Sequence, residues 1–193
     1  MNIMVKKIFM IVFAIFLLWQ SYSLLIFIHN YDGYSLVGLI FVAWIINLFI
    51  TGIFAFLGFA LPTQKLLPDS FYKVYRPRLL KKVYNGLGVE LFRKALLATL
   101  WKSKSQRKKF FNGQKNGIQN LEVQSMKSEF GHFIPLVIIF FVVIYLIGIG
   151  QFKLAFLTFL INIIGNLYPV LLQRYHRMRI QKIRKRQELK SAI

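Results

Sequence analysis

The sequence predicts an all-α integral membrane protein with four transmembrane helices, both termini in the cytoplasm, and a basic cytoplasmic segment that contains an amphipathic interfacial helix. Three observations carry that reading. The chain is 56% hydrophobic over 193 residues. It holds four apolar runs of about the 18 or more residues that cross a bilayer. Its net charge of +20 is confined to the breaks between those runs.

The runs are Ile8–Ile28, Tyr34–Leu61, Phe133–Ile149 and Leu154–Leu172. Lys6 and Lys7 before the first run imitate a signal peptide, with Ser21-Tyr22-Ser23 as a weak cleavage site. The apolar run continues to Ile28, so the sequence predicts an uncleaved first anchor. His29–Gly33 (HNYDG) joins the first two runs as a tight turn, making an N-terminal transmembrane hairpin over 1–61. Gln20, Ser21 and Ser23, then Asn47 and Thr51, are polar breaks within these spans.

Residues 62–131 form the basic cytoplasmic segment. Fifteen Lys/Arg lie between Pro62 and His132, eight follow Leu172, and two precede the first run; the one other is Lys153. Basic residues collect on the cytoplasmic side of membrane proteins, so both termini and the central segment are placed there. Pro68-Asp69-Ser70 offers an N-cap for a short helix at about Phe71–Tyr75, which Pro77 limits. Leu87–Lys102 puts Leu87, Leu91, Ala95 and Ala98 along one side, extended by Leu96, Leu97, Leu100 and Trp101, so it predicts an interfacial or re-entrant amphipathic helix. Asn112-Gly113 and Asn116-Gly117 predict turns, and Ile118–Phe130 leads into the third span. Residues 132–179 form the C-terminal hairpin and 180–193 a basic tail.

Composition also narrows the chemistry. Without cysteine there are no disulfides, thiolate nucleophiles or Cys-ligated zinc. Three histidines and six acidic residues argue against a buried metal centre, so no metal is expected. The basic run Lys102–Lys115, with Phe110 and Phe111, suits anionic headgroups at about 1 kcal/mol per residue. No nucleic-acid motif accompanies it, and membrane lipids are its expected partner.

Two polar features in the apolar half can carry chemistry. Thr158, Asn162, Asn166, Gln173 and Arg177 fall near one edge of the last helix. Such a stripe is either interhelical glue or a slot for a substrate headgroup or acyl carbonyl. Pro169 denies the Gly165 carbonyl its helical partner, which predicts a kink between Asn166 and Gln173. Glu129 and His132 lie three apart, on one helical face. The carboxylate can accept from one ring nitrogen while the other acts as a base; otherwise the histidine is an interfacial hydrogen-bonder. Arg174, Arg177 and Arg179 clamp phosphates, either those of lipid or those of a substrate.

Three blocks resemble the bacterial glycosyl-4,4'-diaponeurosporenoate acyltransferases of staphyloxanthin-type carotenoid pathways. They are Leu67-Pro68-Asp69-Ser70-Phe71-Tyr72, Glu129-x-x-His132-Phe133, and Ile161-Asn162 through Asn166, Pro169 and Gln173-Arg174-Tyr175-x-Arg177. The resemblance covers about Leu66 to Arg179. It implies an enzyme of the bacterial cytoplasmic membrane that esterifies a sugar hydroxyl of a glycolipid, a carotenoid glycoside, with a fatty acyl chain. Glu129 and His132 become the catalytic candidates, and Asn162, Asn166, Gln173, Arg174, Tyr175 and Arg177 the substrate-binding ones. No cofactor is implied beyond a fatty acyl donor such as acyl-CoA or acyl-carrier protein; the residues themselves suggest that Arg174 and Arg177 hold its phosphate. The alternative is a non-enzymatic scaffold, transporter subunit or lipid-binding protein, in which the Asn stripe packs against a partner span.

Overall fold

The computed structural model describes residues 2–29, 33, 35–99 and 115–191. All described secondary structure is helical. Most of the HNYDG turn, the Lys102–Lys115 run and residues 100–102 of the expected amphipathic helix lie outside the described residues. Four helices are long and apolar enough to cross a membrane: Ile3–His29, Leu36–Ala60, Gly117–Gly148 and Phe152–Lys185. The chain forms two compact units, one of Met1–Thr63 with Phe130–Leu167, the other of Gln64–Glu129 with Tyr168–Ile193.

In the first unit, α1 (Ile3–His29) and α2 (Leu36–Ala60) pair as a hairpin. Ser35 caps α2, its hydroxyl accepting from the Gly38 N–H at 3.2 Å. The pairing is close because α2 presents Gly52 to Leu17; a Cβ there would lie 2.8 Å from Leu17 Cδ1. Phe13 meets Phe56 edge-on at 4.6 Å between centroids. The opposite side of α2 buries Ala43, Ile46 and Ile50 with Ile139, Leu146, Leu154 and Ala155. These come from α6 (Lys115–Gly148) and α7 (Phe152–Asn162). Glycine is required between those two helices. Gly150 has φ +81°, the Gln151 N–H donates to the Leu146 carbonyl at 2.9 Å, and the Gly150 N–H to that of Ile147 at 3.0 Å. This paired closure lets the chain reverse at once.

After α7 the helix widens into a π segment, Ile163–Leu167, and resumes as α8 (Tyr168–Ser191). A kink is expected between Asn166 and Gln173; the observed feature is this π segment just before Pro169, which loosens the turn that lacks the proline N–H.

The second unit holds α3 (Asp69–Tyr72), α4 (Pro77–Gly86) and α5 (Val89–Ala98), together with the first part of α6 and α8. Several boundaries correct the expectations. Pro68, which has no side-chain acceptor, occupies the cap of α3, which ends at Tyr72. Pro77 opens a helix, because its fixed φ and absent N–H suit the first turn. Asn116 and Gly117 sit in the first turn of α6 and not in a turn of their own, so α6 is continuous through Ile118–Phe130. In α5 the packed side is Val89, Phe92 and Leu96, which join Tyr84 and Leu172. Of the expected apolar side, Leu87, Leu91, Ala95 and Ala98 are exposed, the arrangement an interfacial helix needs toward lipid, while Leu96 packs inward.

Candidate functional site

The residues singled out in the sequence gather in two groups, one in each unit. The first is a buried polar seam between α2, α6 and the α7–π segment. Thr158, Asn162 and Asn166 recur every fourth residue, so they share one face, and all three are buried. α2 answers with Asn47 and Thr51, also four apart. Asn47 Nδ2 donates to the Ala43 carbonyl at 2.9 Å and to the Thr158 carbonyl at 3.2 Å.

The direction of the hydrogen bonds in this seam is fixed by one end. A backbone carbonyl only accepts, so the Leu136 carbonyl takes its 3.0 Å bond from Asn162 Nδ2. Asn162 Oδ1 therefore faces Asn166, whose Nδ2 donates to it at 2.9 Å. Asn166 Oδ1 is then left as an acceptor. It takes the Thr51 hydroxyl at 3.2 Å and His132 Nδ1 at 3.2 Å. His132 thus carries its proton on Nδ1, and in the neutral ring Nε2 keeps its lone pair. The Gly165 carbonyl, denied the N–H of residue 169, also faces this ring as an acceptor.

The second group surrounds Glu129, whose side chain is completely buried. Arg174 Nε donates to Glu129 Oε1 at 2.6 Å, and Arg177 Nη2 pairs with Oε2. Arg177 is also buried and donates from Nε to the Tyr72 carbonyl at 2.6 Å. Aromatic rings hold both guanidiniums: Arg174 Cζ lies 4.9 Å from the Phe71 centroid and Arg177 Cζ 5.2 Å from that of Tyr72. Burial raises the Tyr72 phenol above its ordinary pKa of 10, against the opposing effect of Arg177. Gln173 enters through its backbone, its carbonyl accepting from Ser125 Oγ at 3.2 Å. Tyr175 stacks on Tyr84 at 4.1 Å, so it braces α8 on α4.

The partners therefore differ from those that spacing predicted. Glu129 pairs with two arginines, and the histidine is oriented by an amide. The reason is strength: a carboxylate buried without water is best satisfied by forked, charged donors. Sequence reasoning missed Asn47, Thr51, Phe71 and Tyr72 as members of these groups. The available signal was the matching four-residue period of Asn47/Thr51 and Thr158/Asn162/Asn166. Among the described residues, no group of three or more His, Asp or Glu side chains could hold a metal ion.

A corner of the second unit is tied separately. Tyr84 donates to Glu90 Oε2 at 3.0 Å, and Arg93 Nε donates to the same oxygen at 3.0 Å. The Arg93 hydrogen bond holds the Glu90 carboxyl down at about 2. Burial first, and Glu90 second, push the Tyr84 phenol up to about 12.

Residues 68–186 match the family described as glycosyl-4,4'-diaponeurosporenoate acyltransferase. No curated protein and no solved structure matches this chain significantly.

Proposed function

The chain belongs to the glycosyl-4,4'-diaponeurosporenoate acyltransferase family, and from that membership we propose that it esterifies a sugar hydroxyl of a membrane glycolipid, a glycosylated carotenoid, with a fatty acyl chain. The family supplies the reaction class. The observation that carries the mechanism is the His132–Asn166 hydrogen bond, which leaves Nε2 as the basic nitrogen.

In the proposed reaction, His132 Nε2 takes the proton of the sugar hydroxyl as its oxygen bonds to the donor carbonyl carbon. The imidazolium then returns that proton to the leaving group as the donor's acyl bond breaks. Asn166 Oδ1 stabilises the imidazolium, and Asn162 holds Asn166 in the necessary orientation. The donor is an activated fatty acyl group, acyl-CoA or acyl-carrier protein. Gln173, Arg174, Tyr175 and Arg177 bind substrate, and Glu129 sets the positions of the two arginines.

The enzyme works in the bacterial cytoplasmic membrane as a multi-pass protein with both termini in the cytoplasm, among membrane lipids. Four spanning-length helices, and 25 of the 26 basic residues in the segments that alternate connectivity puts on one side, support this arrangement.

His132→Ala tests the reading. Lipid extracts of cells carrying the variant should keep the parent glycolipid and lack the species heavier by one fatty acyl group. Undiminished ester formation would remove the base. Retention of a bound glycolipid, with no ester formed even by the wild type, would favour lipid binding without chemistry.

A further inference from the structure

Among the described residues of the second unit, two arginines, one buried and one half-buried, share one buried carboxylate. Arg174 and Arg177 share the single carboxylate of Glu129. Of the other acids nearby, Glu122 is paired with Arg184 at 2.7 Å, and Asp69 lies close enough to Tyr72 to act on its phenol. A guanidinium has five N–H donors. For Arg177, Nε is satisfied by Tyr72 and Nη2 by Glu129, but Nη1 is buried with no hydrogen-bond partner among the described residues. The Tyr72 hydroxyl is likewise buried without one. It belongs to the ring on which Arg177 rests.

Leaving a buried donor unmade is unfavourable, and leaving a buried cation uncompensated more so. Two unused donors beside a carboxylate shared by two arginines therefore specify a ligand with negative charge and at least two acceptor oxygens. Access is graded: the Arg174 side chain is 34% exposed and that of Arg177 1%. An anion would meet Arg174 first.

We propose that Arg177, Tyr72 and Arg174 form a phosphate site that holds the phosphate-bearing end of the acyl donor. The assignment to the donor rests on the acyl-transfer reading above; the phosphate site itself does not. Phosphate oxygens are arranged to accept from a guanidinium fork and a phenol at once, and the fork favours such oxyanions over halide. Glu129 occupies part of both guanidiniums. It therefore competes with the ligand, and the site has a sign that a catalytic acid would not have. Glu129→Gln should strengthen phosphate binding.

The test is thermal unfolding of the purified full chain in uncharged detergent. The probes are inorganic phosphate, coenzyme A, and micelles doped with phosphatidylglycerol, each against chloride at equal ionic strength. The wild type should unfold at a higher temperature with at least one phosphate probe, and Glu129→Gln should gain more from it. A response to coenzyme A alone identifies a soluble donor, and one to phosphatidylglycerol alone a phospholipid donor; both support a phosphate site. Tyr72→Phe keeps the ring beneath Arg177 and should weaken binding roughly 3- to 10-fold, the worth of one hydrogen bond. No shift beyond chloride in wild type, or a smaller gain in Glu129→Gln, overturns the site. His132→Ala should retain the shift, so loss of acylation with binding intact speaks only to the chemistry. Acylation without any phosphate-dependent shift removes only the phosphate site.

Discussion

Asn166→Ala isolates the contribution of the amide that orients the imidazole. The side chain is buried and makes three hydrogen bonds: to Asn162, from Thr51 and with His132. Polar bonds between membrane helices average about 0.6 kcal/mol and reach about 1.7. Three lost bonds therefore cost about 2–4 kcal/mol of stability, with Thr51 regaining part by turning to a backbone carbonyl of its own helix. The kinetic effect has a separate origin. The bond to His132 strengthens when the ring becomes charged, and hydrogen bonds to charged groups are worth about 1.5–3 kcal/mol. Its loss should lower kcat about 10- to 150-fold. That is less than His132→Ala, because Nε2 remains but is no longer held. The assay is ester formation per folded molecule, with the folded fraction taken from size-exclusion profiles and thermal unfolding. A destabilised protein with full kcat would refute the argument that Asn166 sets the working tautomer.

Three further outcomes follow from other parts of the fold. Pro169→Ala restores an N–H for the Gly165 carbonyl, so it should raise the unfolding midpoint and lower kcat as the π segment tightens; an unchanged kcat would separate the imidazole from that carbonyl. At Gly52, alanine should be near neutral, since the flexible tip of Leu17 can yield and the helix gains by losing a glycine, whereas Gly52→Val should cost about 1–3 kcal/mol by overpacking, read by thermal unfolding. The α4–α5 corner should respond to pH at both extremes. The Glu90 carboxyl is lowered from 4.5 to about 2, so its stabilisation is present above 4.5 and lost as pH falls through 2; the Tyr84 phenol is raised from 10 to about 12, so its own is present below 10 and lost as pH rises through 12. Limited proteolysis of this corner across pH should show that window, and Glu90→Gln should remove its acid edge.

Apolar runs located the four spans but not the ends of their helices. Hydropathy reports which residues suit hydrocarbon, while a helix continues as long as its backbone can. Hence α6 begins at Lys115, well before the apolar run at Phe133. Pro77 was misleading for a related reason: proline excludes the helix interior, yet favours the first turn, and only the residues after it decide between these. α5 was legible as an amphipathic interfacial helix, but not as to which residues would meet the rest of its unit. Leu91 and Ala95 form as regular a stripe as Val89, Phe92 and Leu96, and only the last three meet Tyr84 and Leu172.

The candidate site shows the same division between local and distant information. The i, i+3 spacing of Glu129 and His132 was visible, but their bonds go to residues 34 to 48 positions away. Spacing allows a pair; competition among all available donors decides it. The family match makes this concrete, because residues 68–186 exclude the α1–α2 hairpin. Yet Thr51, on α2, donates to the same Asn166 oxygen that accepts from His132, and Asn47 bonds the Thr158 carbonyl. A chain lacking the hairpin would retain every matched residue and lose both contacts, exposing Thr158, Asn162 and Asn166 to lipid where no water replaces them. The hairpin is therefore part of what holds the imidazole, and Thr51→Val should weaken the His132 base without altering any residue of the matched region.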